Sequence, residues 1–245
     1  MKPVKYLILP IFILLLSGCG SKLDLTKKPV DIMIRDMSDL STFSIILYDM
    51  NTEGTLFKKY YHQYRTIRED DEGEPKEDIS GWYEVSKDYF NSHVDNMGME
   101  IASKQDGKVT KTVSPPGYGS YVGNQRYGHW VQRDGQSFWA FYGQYAFMSS
   151  MFGMMTYPVR RSYYDDYRTN YYGSGRTYYG PTGTDGRSMY GTNSAYTASR
   201  TNSRWNTNPN NNSMKQRVRS STARSSRSGS RYSSSSRSRS GGYGK

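Results

Sequence analysis

Cysteine is almost absent from this 245-residue chain. Its one copy excludes an internal disulfide framework, a multi-cysteine zinc site and a cysteine-ligated iron–sulfur cluster. Histidine is scarce too, with three copies, so imidazole chemistry has few places to sit. Apolar residues make up 35% of the chain, below the ~45–50% usual for globular proteins. A single domain over the whole length is therefore not the expectation; a smaller folded part joined to unfolded sequence is. No acid follows Asp185, and no charge of either sign falls between residues 135 and 159. What is plentiful is tyrosine and glycine, 24 of each, and basic charge, with 33 Lys and Arg against 22 Asp and Glu for a net +11.

The first residues read MKPVKYLILPIFILLLSGCG. Lys2 and Lys5 precede an uncharged apolar run from Tyr6 to Leu16, broken only by Pro10. The run is too short for a ~30 Å hydrocarbon core and has the build of a cleavable secretory signal. It ends in Leu16-Ser17-Gly18-Cys19, which resembles the lipobox of bacterial lipoproteins. The resemblance implies a signal peptide over 1–18, cleavage between Gly18 and Cys19, and lipidation of the Cys19 thiol and new amino group. Two or three acyl chains, at about 0.8 kcal/mol per buried CH₂, hold a protein stably on a membrane. Residue 20 is Gly, where inner-membrane members of the family carry Asp, so the resemblance favours the outer membrane of a bacterial envelope.

Residues 19–30 read as a short lipidated tether. From 31 to 156 the pattern is that of a small α+β domain. Val30-Asp-Ile-Met-Ile34 and Phe43-Ser-Ile-Ile-Leu-Tyr48 have the composition and length of strands. Asn51-Thr-Glu-Gly54 signals a turn. In the segment that follows, Phe57, Tyr61 and Tyr64 fit a helix while Tyr60, His62, Tyr64 and Thr66 alternate as in a strand, so its type stays open. Ser86–Met97 reads as a helix, with Ser86 as cap, Tyr89, Phe90, Val94 and Met97 on one face, and Gly98 closing it. Asp106-Gly107, set between two alternating runs, predicts a β-hairpin because both residues tolerate positive φ.

Residues 114–135 are rich in turn formers. The uncharged stretch that follows predicts an aromatic helix over 138–155. Phe138, Trp139, Phe141, Tyr142 and Phe152 are its candidate residues for packing on a membrane or partner. From 157 to 245 the composition shifts to Tyr, Gly, Ser, Asn, Thr and Arg. Residues 186–245 hold ten Arg, two Lys and no acid, whereas residues 19–185 carry a net −3. Such a segment has too little apolar area to offset its ordering entropy, and a disordered basic tail is expected. Arg217, Arg219, Arg224, Arg227, Arg231, Arg237 and Arg239 are its candidate contacts to anionic partners, since guanidinium groups bind phosphate bidentately.

Other candidates are weaker. Glu69–Asp78 holds seven acids in ten residues but lacks calcium-loop spacing, so it reads as a solvated loop. His93 and Asp95 lack a third metal ligand, so no metal is implied. Gly117-Tyr-Gly-Ser-Tyr-Val-Gly123 is not a dinucleotide fingerprint and reads as an aromatic loop; no cofactor is implied. There is no Gly-x-Ser-x-Gly elbow, and no catalytic residue is assignable.

The block SPPGYGSYVGN, the stretch SFWAFYGQYAFMSSMFG and the Arg/Ser/Gly end together resemble a group of proteobacterial envelope lipoproteins that brings no activity with it. The expectation is a non-enzymatic, membrane-anchored binding or structural protein. Its cationic tail would meet anionic lipid, lipopolysaccharide, peptidoglycan or envelope proteins; an address outside the cytoplasm argues against nucleic acid. Two alternatives stand beside it. One is a self-associating scaffold; the other is an envelope hydrolase built around His62, His93 or His129.

Overall fold

The computed structural model describes residues 28–70, 72–153 and 158–229. The first element is a helix, α1 (Pro29–Asp36), and not the strand that Val30–Ile34 predicts. Pro29 sits at its first turn with Asp31, Arg35 lies in its last turn, and each suits that end of the helix dipole. Val30, Met33, Ile34 and Met37 recur at helical spacing, and all four pack into one core. That spacing outweighs the β-branched composition.

Strands β1 (Phe43–Glu53) and β2 (Lys59–Glu69) form a long antiparallel hairpin. Pairing with β1 settles the segment left open above in favour of the alternation of Tyr60, His62 and Tyr64, and β1 runs through Asn51 to Glu53 before the chain turns. β3 (Pro75–Ile79) and β4 (Tyr83–Val85) both pair with β2. α2 (Lys87–Ser92) is shorter than predicted, though Ser86 caps it by accepting from Tyr89 N–H at 3.1 Å. β5 (Glu100–Gln105) and β6 (Lys108–Thr110) form the predicted hairpin, with Asp106 at φ 49° and Gly107 at φ 80°. The strand order is β3-β2-β1-β5-β6, with β4 also on β2. The fold class is α+β.

The predicted aromatic helix is a second hairpin instead. β7 (Gly128–Arg133) pairs with β8 (Gln136–Phe141) across Asp134 (φ 51°) and Gly135 (φ 73°), placing Trp130 opposite Trp139 and Val131 opposite Phe138. Asp134-Gly135 is the same turn signal as Asp106-Gly107, and it wins over the helical spacing of the aromatics. Beyond it lie a 3₁₀ turn at Gly143–Tyr145 and the short α3 (Met148–Met151).

The boundary at 156 also moves. The chain from 158 onward folds back as α4 (Arg161–Asp166), α5 (Ala195–Ser199), α6 (Arg204–Thr207) and α7 (Asn212–Gly229). Residues 230–245 of the expected tail, and the signal and lipobox with Gly18 and Cys19, lie outside the described residues.

The central sheet is covered on both faces, so β1 is buried almost throughout. Phe43, Ile45 and Leu47 point to one face, and Ile46 to the other. A bulge at Tyr48 then shifts the register, so Met50 rejoins the first face. The first cover brings Phe90, Val94, Trp205, Met214 and Val218 onto the sheet. The second is mostly aromatic: Tyr118, Tyr121, Tyr127, Trp139, Tyr145, Phe152, Tyr167 and Tyr178 are all buried. Their rings meet mainly edge-on, as in Tyr121–Tyr127 at 4.8 Å and Tyr118–Tyr167 at 5.4 Å between centroids. Hydroxyls find partners: Tyr121 donates to Ile67 O at 3.2 Å, and Tyr179 to Asn96 Oδ1 at 2.8 Å. A Tyr-rich composition can therefore build a core, which the low apolar fraction conceals.

Three buried polar side chains fasten the irregular segments to the sheet. Glu100 accepts from Ser44 Oγ at 2.5 Å, from Gly117 and Gly119 N–H at 3.1 Å each, and from Ser114 Oγ at 3.3 Å. A Cβ on Gly119 would collide with the Glu100 carboxylate and Ser103, so glycine is required there. Asp49, at the β1 bulge, accepts from Ser203 Oγ at 2.7 Å, Arg204 N–H at 2.7 Å and Trp205 N–H at 3.2 Å, capping α6. Asn211 accepts from Thr52 N–H at 2.8 Å and donates to Arg204 O at 2.9 Å.

Trp205 lies in a segment whose composition reads as unfolded, yet it is buried against Phe90, with ring centroids 6.5 Å apart. Trp205→Ala is expected to lower stability by about 3–5 kcal/mol in urea unfolding followed by circular dichroism. A loss under about 1 kcal/mol, the size of an ordinary surface substitution, contradicts this packing.

Candidate functional site

The sequence-predicted residues do not converge on one place. Trp139 and Phe152 are buried in the aromatic core, and Phe141 packs against it. Phe138 is half-buried, with the Arg160 guanidinium 5.9 Å from its ring centroid. Of that set only Tyr142 is exposed, stacked on His129 at 5.3 Å. The segment packs chiefly on its own protein. No helix among the described residues is long and apolar enough to cross a membrane. The acidic run is not a free loop. Glu69 pairs with Arg126 at 2.8 Å, Asp70 with Lys76 at 2.8 Å, Glu77 with Arg65 at 2.6 Å and Asp78 with Arg68 at 2.9 Å.

Two of the three histidines sit together beneath the first cover. His62 has no exposed surface, and its Nδ1 lies 3.0 Å from the Tyr64 hydroxyl. Its ring is 5.2 Å from Phe90, 5.6 Å from Tyr89 and 6.2 Å from His93 between centroids. The amide of Asn96 lies 3.2 Å from His93 Nδ1; its NH₂ can only donate, so that nitrogen keeps its lone pair. Burial, followed by the neighbouring His93, pushes His62 down to about 3; burial, followed by Lys28, pushes His93 down to about 4. Burial pushes the Tyr89 phenol up to about 12. At neutral pH all these groups are uncharged. Among the described residues no carboxylate or serine hydroxyl bonds a histidine ring, and no group of three metal-ligating side chains occurs. The arrangement packs a core, with His62 Nδ1 held by the Tyr64 hydroxyl.

The basic residues make a site of a different kind. α7 carries Lys215, Arg217 and Arg219 on exposed or half-exposed positions, and Arg224 and Arg227 on its last two turns. Met214 and Val218 press its apolar stripe into the first core. A groove beside it is lined by Arg187, Asn193, Asn206, Lys215 and Arg219, with no acid in its wall. Lys215 Nζ donates to Asn206 O at 2.9 Å, and Arg217 lies 3.4 Å from Asn91 Oδ1. Burial, then the charge of Arg219, pulls the Lys215 ammonium below its ordinary range. Arg187 has one carboxylate nearby, Asp185 at 3.8 Å. Such a groove can accept an anion carrying several oxygens. Arg231, Arg237 and Arg239 lie outside the described residues.

Sequence reasoning did not find Arg187 or Lys215. The signal was present in the pairs Met214/Val218 and Lys215/Arg219, each four residues apart on adjoining faces of one helix. Compared with known proteins, the chain matches no family model, no curated protein and no solved structure.

Buried titration makes stability depend on pH. His62 and His93 have folded pKa values below the unfolded one, so their contribution is complete above about 6.5 and is lost as pH falls. Glu100 runs the other way: burial pushes it up to about 7 against the pull of Ser44 and the loop amides, so stability declines as pH rises from its unfolded value toward 7. Each active group contributes about 1.4 kcal/mol per pH unit. Two histidines oppose one carboxyl, so stability is expected to fall between pH 6 and 5. His93→Gln should flatten that slope in urea titrations; parallel curves for the two proteins contradict the assignment.

Proposed function

We propose that this chain is a non-enzymatic, lipid-anchored protein of the bacterial envelope, held by acylated Cys19, whose C-terminal cationic surface binds anionic envelope lipids or polymers. One observation carries the reading. Acid and base are segregated, and the base is left over. Four acids of the acidic run are paired, three with bases of their own hairpin and Glu69 with Arg126. Among the described residues no carboxylate pairs with Lys215, Arg217 or Arg219. An unneutralised basic face attracts phosphate-bearing surfaces over about a Debye length. The lipobox residues Leu16-Ser17-Gly18-Cys19 support anchoring, and Gly20 supports the outer membrane. With such an anchor, phosphorylated lipid and acidic polymer would be the anions within reach.

The test is binding of the unlipidated mature chain to vesicles containing phosphatidylglycerol, or to lipopolysaccharide, as salt is varied. Affinity should fall at least about tenfold between low and high ionic strength. Arg217→Glu with Arg219→Glu, both exposed, should weaken binding at low salt by a similar factor, at about 1 kcal/mol per charge near the surface, while thermal melting is unchanged. Salt-independent binding, or full affinity in the double variant, overturns the reading.

A further inference from the structure

The β1–β2 hairpin ends in Gly54-Thr55-Leu56-Phe57-Lys58, and its tip has an unusual surface. Leu56 and Phe57 are each 90% exposed, far more than any other large apolar residue described. Adjacent apolar side chains held fully in water at a loop tip need a reason, whereas singly scattered ones do not. The tip is not a slack loop. Gly54 has φ +80°, and a Cβ there would collide with the Phe57 carbonyl, so the turn is tight and fixes where the two side chains point. Lysines stand immediately behind it. Lys58 follows Phe57; Lys59 and Lys87 line the concavity beneath, together with Glu84, which pairs with Lys59 at 3.2 Å. Among the described residues no carboxylate pairs with Lys58 or Lys87. Glu53 and Glu84 stand there too, but an apolar point flanked by two lysines without a carboxylate partner matches a bilayer interface, where acyl chains take the apolar groups and headgroup phosphates take the ammoniums.

The position of the tip can be compared with Lys28, where the described fold begins. Lys28, where the tether joins the fold, places its ammonium 5.9 Å from the Tyr89 ring. Tyr89 belongs to α2, and the first residue of that helix, Lys87, lines the concavity under Leu56 and Phe57. Residues 19–27 span at most about 30 Å fully extended. Lys28 and the hairpin tip are thus linked through α2, and an anchor at the far end of a tether of that length could share one surface with the tip.

We propose that the Gly54–Lys58 hairpin tip dips into an anionic bilayer, seating Leu56 and Phe57 at the interface with Lys58 and Lys87 on headgroup phosphates. The anchor alone lets the domain tumble on its tether; the tip gives it a fixed orientation. This rests on the lipid-anchor reading for the choice of membrane.

Because Cys19 is the sole cysteine, Cys19→Ser makes the mature chain cysteine-free and allows one reporter thiol. Phe57→Cys carries an environment-sensitive fluorophore, and Val109→Cys, on exposed β6, serves as control. With phosphatidylglycerol/phosphatidylcholine vesicles, the label at 57 should shift to the blue and be quenched by brominated acyl chains, while that at 109 stays unchanged. Unlabelled Leu56→Asp/Phe57→Asp should bind at least about tenfold more weakly, as expected for an interfacial apolar anchor, with unaltered melting. Vesicle binding with no response at 57 overturns the inference while leaving the cationic reading intact. No binding at all overturns both. A response at 57 that grows with protein concentration and needs no vesicles assigns the tip to a second copy of the chain and overturns the membrane contact.

Discussion

The carboxylate of Glu100 has no exposed surface, yet it gathers the hydroxyls of Ser44 and Ser114 and the amides of Gly117 and Gly119 around it. The whole aromatic cover depends on that contact. The loop it fastens delivers Tyr118 and Tyr121 to the sheet, and those rings receive Tyr127, Tyr164 and Tyr167. Irregular backbone cannot satisfy its own donors, so its burial needs acceptors supplied by side chains. Asp49 and Asn211 do the same on the opposite face for the segment bearing Trp205. Repeated, this device lets a chain with modest aliphatic content cover both faces of one sheet.

Local signals were legible where one residue type decides the backbone. Asp106-Gly107 marked its hairpin and Ser86 its helix cap, whereas the segment through His62 offered both periods and only its pairing with β1 decides for the strand. Val30–Ile34 misled because β-branched composition masked helical spacing. The stretch 138–155 misled because its aromatics share a helical face, while the decisive Asp134-Gly135 lay just upstream. The second half of the chain misled for a deeper reason. Composition counts Tyr, Asn and Thr as poor core formers, but Tyr167 and Tyr178 bury rings, and Asn211 acts as a hydrogen-bond acceptor and donor for β1. None of these partnerships is local. Thr192, which accepts from Met97 N–H and donates to Val94 O, is likewise invisible until the chain has folded back.

The site was legible in charge but not in place. A basic, acid-free C-terminal part is plain from the sequence. That Arg219 shares a groove with Lys215 and Arg187, while Arg217 turns toward Asn91, follows only from how α7 lies on the first core. Histidine chemistry was legible as scarcity alone; burial among Tyr64, Tyr89 and Phe90 gives His62 a packing role. Together these features describe a fold whose acidic run is largely paired, while Lys215, Arg217 and Arg219 on α7 face no carboxylate among the described residues. On the function proposed above, that basic face serves adhesion to an anionic surface.

The central claim is that buried carboxylates hold the irregular segments as firmly as the strands. Residue-resolved amide hydrogen exchange tests it at Gly117, Gly119, Arg204 and Trp205, whose N–H groups bond Glu100 and Asp49. The account predicts that these four exchange as slowly as the paired amides of β1, through global unfolding. Exchange at the rate of an unstructured chain, while β1 remains protected, would contradict it.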